Sequence, residues 1–390
     1  MTVFVVLFSF SSGLLLYLPF YYDQYIVKPY IGMPEPVVKE LRKAFHYEYV
    51  QPDPKQALKY HKRALMMAQE IGMDPFSDMT IGIKIRYAEF FEKFYHYQQA
   101  IDVLESIRGD CVKWVQLFGD KHVEDGKRTR ILAWAVRCST KVGELYGLPW
   151  IDESEKAEDA FSWAVETLLK EKRRREVEGE KQGEGEWIAG EEFGGTMERL
   201  AHEYEEKGQH AYAAPLFLQA LTVCPTNTCH AAILMNNLAT SLSQQPNQTT
   251  TRTQSDPAPT KPVQRPSGGF MKPLNKLNPQ PGSSDSSLKR PDRPAEPSLP
   301  MVDPVTQAIQ WANMAIATAE RVPAEDRTEE CDQARCAALY NLGELAERSK
   351  KNDEAARQYE KARDVAEGVG WDEGVKMANE GIKRTQQVAA

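Results

Sequence analysis

Six polar residues recur at one position of a repeating pattern: Lys43, Arg86, Lys141, Arg199, Asn237 and Asn341. Four are cations and two are amides. None is an acid, although Asp and Glu outnumber Lys and Arg by 56 to 48 in the chain. Such a row can donate hydrogen bonds to the backbone carbonyls and carboxylates of an extended peptide. The chemistry it implies is recognition, not bond making. A helix face in water is polar anyway, so an ordinary solvated face is the competing reading; the missing acid is what exceeds it.

The other reactive side chains do not assemble into a catalytic set. No G-x-x-x-x-G-K-[ST], H-E-x-x-H or G-x-S-x-G occurs. The seven histidines are scattered, and His202 and His210 come nearest to a pair while lying eight residues apart. No carboxylate pair is marked for acid–base work, so no catalytic residue, cofactor or small-molecule substrate is expected. Six cysteines in 390 residues are too sparse for a disulfide framework. Cys224 and Cys229 form a C-x4-C, and so do Cys331 and Cys336. Neither spacing suits zinc, and no His pair accompanies them, so no metal site is expected. They read as small, partly buried helix residues. A redox or disulfide role for Cys224 with Cys229 is the alternative. The net charge of −8 and pI near 5.6 argue against nucleic acid as a partner.

The elements that must position the polar row are helix pairs. Met197, Leu200, Ala201, Tyr204, Ala213, Phe217, Ala220 and Pro225 fit a template with large–x2–Leu–Gly/Ala–x2–Tyr on a first helix and Ala–x3–Phe/Tyr–x2–Ala on a second. Small residues let the two backbones approach, and large ones fill the groove between neighbouring pairs. The same spacing returns in Leu339, Leu342, Gly343, Ala346, Ala355, Tyr359 and Ala362. Weaker copies run through Tyr87, Ala88, Phe91, Ala100 and Leu104; through Leu41, Ala44, Ala57, His61 and Ala64; and through Val142, Gly143, Tyr146, Ala157, Phe161 and Ala164. A sixth unit is split, with Met235, Leu238, Ala239 and Leu242 on its first helix and Ala308, Ala312 and Ala315 on its second. The template is that of the tetratricopeptide repeat (TPR). The expected fold is therefore all-α, a solenoid of about six helix pairs closed by a capping helix from Trp371 to about Val388. The six polar residues lie two before the small position of each first helix, the helix that lines the concave face.

Composition divides the chain further. Residues Thr2 to Tyr22 carry no Asp, Glu, Lys or Arg and are long enough to span a bilayer, so 1–22 reads as a transmembrane anchor. A cleaved signal peptide competes, but no Lys or Arg precedes Lys28. A juxtamembrane segment, 23–40, leads into repeats over 41–242. Twelve of the 24 prolines fall between Ser243 and Pro300, so 243–300 reads as a disordered insert looping out of the split unit. Residues 301–390 hold the last repeats and the cap. The charged tract Lys170 to Gly195 reads as a solvated helix end and flexible loop, with a docking site for an acidic partner as the sharper alternative.

The stretch Tyr25-Ile26-Val27-Lys28-Pro29-Tyr30, then Leu41-Arg42-Lys43-Ala44-Phe45-His46-Tyr47-Glu48-Tyr49 and Asp53-Pro54-Lys55-Gln56-Ala57-Leu58-Lys59-Tyr60, carries a resemblance. With a span before it and repeats after it, the chain resembles the fungal TPR adaptor subunit of the mitochondrial inner-membrane i-AAA protease supercomplex, over about residues 14–240 and 301–385. The resemblance implies a single-pass inner-membrane protein with its repeats in the intermembrane space. It also implies a non-enzymatic adaptor that binds unfolded or misassembled proteins and delivers them to the protease. The chain departs from that family in having no basic presequence. A respiratory-complex assembly or quality-control factor would share these features. A chaperone-docking repeat protein would need its basic and Asn clamp in adjacent units, whereas Lys43 and Arg86 lie far from Asn237 and Asn341.

Overall fold

The computed structural model describes residues 32–245 and 303–389. Thirteen α-helices make up the described residues, with no strand among them. They are α1 (Glu35–Phe45), α2 (Pro54–Glu70), α3 (Asp78–Lys93), α4 (Tyr97–Phe118), α5 (Lys127–Tyr146), α6 (Ser154–Glu178) and α7 (Gly190–Glu206). Then follow α8 (His210–Val223), α9 (Cys229–Ser243), α10 (Pro304–Arg321), α11 (Glu329–Arg348), α12 (Asn352–Gly368) and α13 (Asp372–Ala389). Consecutive helices pack as six pairs, α1–α2 to α11–α12, and α13 covers the last pair. The first helix begins at Glu35, inside the segment read as juxtamembrane, and a single π-helical turn, His46–Val50, prolongs it.

Local chemistry starts these helices where the chain needs them. The Asp53 carboxylate accepts from the backbone N–H of Lys55 and Gln56 at 3.0 and 3.1 Å, with Pro54 at the first position of α2. Ser77, Thr228 and Asp303 cap α3, α9 and α10 in the same way. The small residues of the repeat template do the packing. A Cβ added at Gly143 would lie 2.7 Å from the Phe161 ring, and one at Gly343 would lie 2.6 Å from the Tyr359 ring. In these two pairs the first helix thus lies directly against an aromatic ring of the second, at a distance that only glycine permits. Phe217, Tyr359 and Met197 are fully buried. One continuous core runs from Ile81 to Leu238.

A recurrent polar stitch joins successive pairs at the edge formed by their internal turns. Lys93 Nζ donates to the Glu48 carbonyl at 3.0 Å, Lys207 Nζ to the Ser154 carbonyl at 3.1 Å, and Arg348 Nη1 to the Ser243 carbonyl at 2.8 Å. Ser243 ends α9, so Arg348 satisfies a carbonyl that the helix end leaves free, while Lys93 and Lys207 reach carbonyls at the turns of the preceding pairs.

The split unit assembles as the repeat spacing predicts. α9 and α10 pack through Ala239 against Ala312 and through Met235 against Ala315. The insert itself lies outside the described residues, apart from 243–245: Ser243 ends α9. The expected anchor, 1–22, also lies outside them. Among the described residues no helix is long and apolar enough to cross a membrane.

Two expectations are corrected. Cys229 and Cys331, expected as small unpaired helix residues, form a disulfide across 102 residues with the Cα atoms 4.5 Å apart, so Cys229 does not take the alternative partner Cys224. The bridge joins the first turns of α9 and α11, which lie side by side, while Cys224 stays a partly exposed thiol. The charged tract is not a solvated helix end either. Glu171, Arg175 and Glu184 are 4%, 7% and 1% exposed. Arg128 and Arg174 bind Glu171, Arg174 also binds Glu184, and Arg175 donates to Thr129 Oγ1 at 3.0 Å and the Gly185 carbonyl at 2.8 Å. This ionic knot holds the 179–189 loop against the end of α6. Burial raises the Glu171 pKa, but hydrogen bonds from Arg174 and Arg128 outweigh it and hold the group at about 2.

Candidate functional site

The first helices of the pairs, α1, α3, α5, α7, α9 and α11, carry the six polar positions one each. Side chains reach from one such helix to the next. Lys141 Nζ of α5 meets Glu92 of α3 at 2.9 Å. Arg199 of α7 meets Glu144 of α5, and Arg137 of α5 grips Glu192 of α7 through two bonds of 2.6 and 2.9 Å. His230 of α9 lies 3.1 Å from Glu198 of α7. Asn341 of α11 donates to Asn236 Oδ1 and Thr240 Oγ1 of α9 at 2.9 and 3.0 Å. The result is a continuous polar strip from α3 to α11.

The row is not a line of free cations. Lys43 pairs with Glu40 at 2.6 Å and lies over the Tyr60 ring. Arg86 pairs with Glu89 at 2.6 Å, and Lys141 also reaches Glu144 at 3.3 Å. The acids missing from the six positions stand three residues away or on the neighbouring helix. Asn341 is spent on a contact between helices. Asn237 is half-buried on α9, and its side chain makes no hydrogen bond among the described residues. Of the six, it is the one whose side chain is not engaged by another described residue. Lys141 and Arg199 come together around a recess of about 400 Å³ lined also by Arg137, Glu144 and Glu192. Lys43 and Arg86 stand apart from it.

A second recess, about 410 Å³, opens next to the first between α7 and α9, with Gly194, Glu198, Cys224, His230 and Glu330 in its wall. Glu198 is the focus of a cluster that the sequence did not announce. It meets His202 of its own helix at 3.7 Å and His230 across the groove. His202 Nδ1 lies 3.3 Å from Glu205, which accepts from the Ser241 hydroxyl at 2.5 Å. Burial raises the Glu198 pKa, but the two imidazoles outweigh it and hold the carboxyl at about 2. Glu198 and Glu205 in turn raise His202 to about 9, and Glu198 raises His230. The i, i+4 spacing of Glu198 and His202 was visible in the sequence; the third partner, from the next unit, was not.

This surface alternates donors and acceptors, which suits a peptide backbone and its side chains. Among the described residues no group of three or more His, Cys, Asp or Glu side chains is placed to hold a metal ion. No known protein-family profile matches the chain. A TPR repeat-containing protein of Schizosaccharomyces pombe is 25% identical over 194 residues, half of this chain and 41% of that relative, so the chain spans less than half of the relative's length. Among solved structures, TPR-like repeats of a putative kinesin light chain from Podospora anserina overlay with a TM-score of 0.33 at 11% identity, covering 54% of this chain and 89% of theirs. A tetratricopeptide repeat protein from Parabacteroides merdae overlays with a TM-score of 0.26 at 11% identity, covering 90% and 100%. With six helix pairs, glycine-to-ring packing inside two of them and a cap at one end, the described residues form an all-helical TPR-like solenoid.

Proposed function

We propose that the chain is a non-enzymatic protein-binding scaffold whose first-helix face takes an extended segment of a partner. The observation that carries this is the uninterrupted polar strip from α3 to α11, with the uncommitted Asn237 amide within it. The more specific reading is an adaptor at the mitochondrial inner membrane, its repeats in the intermembrane space, that delivers unfolded or misassembled proteins to the i-AAA protease. Its support is the resemblance of residues 25–60 and the repeats. The Cys229–Cys331 bridge adds to it, because such bonds persist in oxidising compartments and not in a reducing cytosol.

Two measurements test the two levels. Asn237→Ala should weaken binding of a reduced, carboxymethylated test protein about tenfold, the loss of one or two directed hydrogen bonds in the groove, without moving the unfolding midpoint. Asn341→Ala is the wrong probe, since it breaks the α9–α11 contact. Unchanged affinity of the Asn237 variant removes the groove from the mechanism. Affinity purification of the full chain from mitochondria should recover an AAA protease. Recovery of respiratory subunits without the protease would favour an assembly factor, and recovery of cytosolic chaperones alone would remove both readings.

A further inference from the structure

A third recess lies away from the concave strip, where α6 ends and α7 begins. It measures about 450 Å³, within the range of about 300–1,000 Å³ usual for ligand pockets. Trp187, Ile188, Ala189, Phe193 and Val223 give it an apolar floor. Glu176, Glu180 and Glu186 line it as well, all exposed. Of the two cations beside it, Lys172 lies over the Phe193 ring at 5.1 Å, and Arg175 is turned inward into the ionic knot while also meeting Glu180 at 3.6 Å.

The recess is held open by built structure. The knot fixes the loop through the Gly185 carbonyl, and the Lys181 N–H donates to Glu184 at 3.1 Å. Gly183 has φ +76°, and a Cβ there would lie 1.9 Å from the Glu124 carbonyl oxygen, so the loop seats on the α4–α5 turn in a way open only to glycine. Trp187 Nε1 donates to the Leu168 carbonyl at 3.3 Å, which sets the ring in the wall. Two of the three arginines that would make this tract attractive to an acidic partner, Arg174 and Arg175, are engaged inside the protein, and Arg173 is exposed. What remains outside is an apolar floor and a rim of three carboxylates against one half-buried cation, Lys172, with Glu180 shared with Arg175.

We propose that this recess is a second docking site, for a basic amphipathic segment of a partner protein that inserts a large apolar side chain and sets Lys or Arg against Glu176, Glu180 and Glu186. An apolar anchor in a preformed pocket supplies affinity, and complementary charge around it supplies selectivity and speed of encounter. The site stands independently of the concave groove.

The test uses the purified full chain and a synthetic helical peptide with Leu along one face and Arg along the other. Controls are the same peptide with Glu for Arg, and one with Ser for Leu. Fluorescence anisotropy should give about tenfold tighter binding of the Arg peptide than of the Glu peptide, and the difference should shrink at high salt. The Ser peptide should not bind. The triple variant Glu176→Gln, Glu180→Gln, Glu186→Gln should remove most of the preference. Ala189→Trp fills the recess from an exposed position and should abolish binding, while Asn237→Ala should leave it intact. Equal affinity for the Arg and Glu peptides overturns the proposal. So does a peptide that binds the Ala189→Trp variant normally, or one that is lost with Asn237→Ala, because it then sits in the concave groove. Failure to recover a protease from mitochondria would leave this result untouched.

Discussion

Glu198 stands between an imidazole of its own helix and one from the next repeat, and the two histidines and the carboxylate hold each other charged. The consequence for stability has a definite sign. His202, raised to about 9 from 6.5, contributes fully below pH 6.5 and loses its contribution as pH climbs through 9. Glu198, lowered to about 2 from 4.5, contributes fully above pH 4.5 and loses its contribution as pH falls towards 2. The contribution of this cluster to stability is therefore greatest between about pH 4.5 and 6.5. Thermal denaturation followed by circular dichroism should show Tm falling on both sides of that window. In a His202→Gln variant the alkaline decline should flatten; a decline as steep as in the parent protein would assign it to other groups. Residues with local partners were legible in the sequence. Gly143, Gly343, Ala213 and Phe217 announce their packing because the template repeats within one helix pair. Arg137 with Glu192 and Lys141 with Glu92 lie 55 and 49 residues apart, and no periodicity links them. The repeat spacing places the polar row on the first helices, but the acids that reach Lys141 and Arg199 from the preceding first helix, Glu92 and Glu144, were not legible.

At the scale of elements, the pair α9–α10 shows how little the repeat depends on a short turn. Its two helices meet through Ala239, Ala312, Met235 and Ala315 although 57 undescribed residues, 246–302, separate them in sequence. The alanines that made this pair readable also make its core thin, since each missing CH₂ forgoes about 0.8 kcal/mol of burial. The Cys229–Cys331 bridge lies at the end of this pair and closes a loop of 102 residues. Replacing both cysteines with serine should lower the stability of the α9–α13 region by about 4–5 kcal/mol, the chain entropy of a loop near 100 residues. Urea unfolding with and without a reductant measures it: the parent should respond to the reductant and the double variant should not. A parent insensitive to reduction would show that packing alone carries the element. The pairing escaped the sequence because the cysteines start helices of different units, and only side-by-side stacking of those helices brings them within reach. The tract from Lys170 was misread for a similar reason. Arg174 and Arg175 look solvated until the 179–189 loop returns Glu184 to them.

Across the whole molecule, each pair touches mainly its neighbours, and stability accumulates along the stack. The central pairs share the large core from Ile81 to Leu238. The first pair relies on a small cluster around Val37, Leu41, Ala64 and Ile83. At the far end α13 is fastened by Arg384, which donates to Tyr359 Oη at 3.1 Å and to Glu347 at 3.3 Å, while Gly381 lies against the Tyr359 ring. The bridge between Cys229 and Cys331 has one further meaning at this scale. It spans the segment 246–302, so the covalent continuity of the protein does not run through that segment alone. A protease that cuts anywhere in it would yield a two-chain molecule, with the halves still linked through sulfur and still packed through α9, α10 and α11. Such a product should migrate as one species on a non-reducing gel and as two after reduction, with its helical circular dichroism unchanged by the cut. If the halves separate without a reductant, the bond is not formed in the native protein.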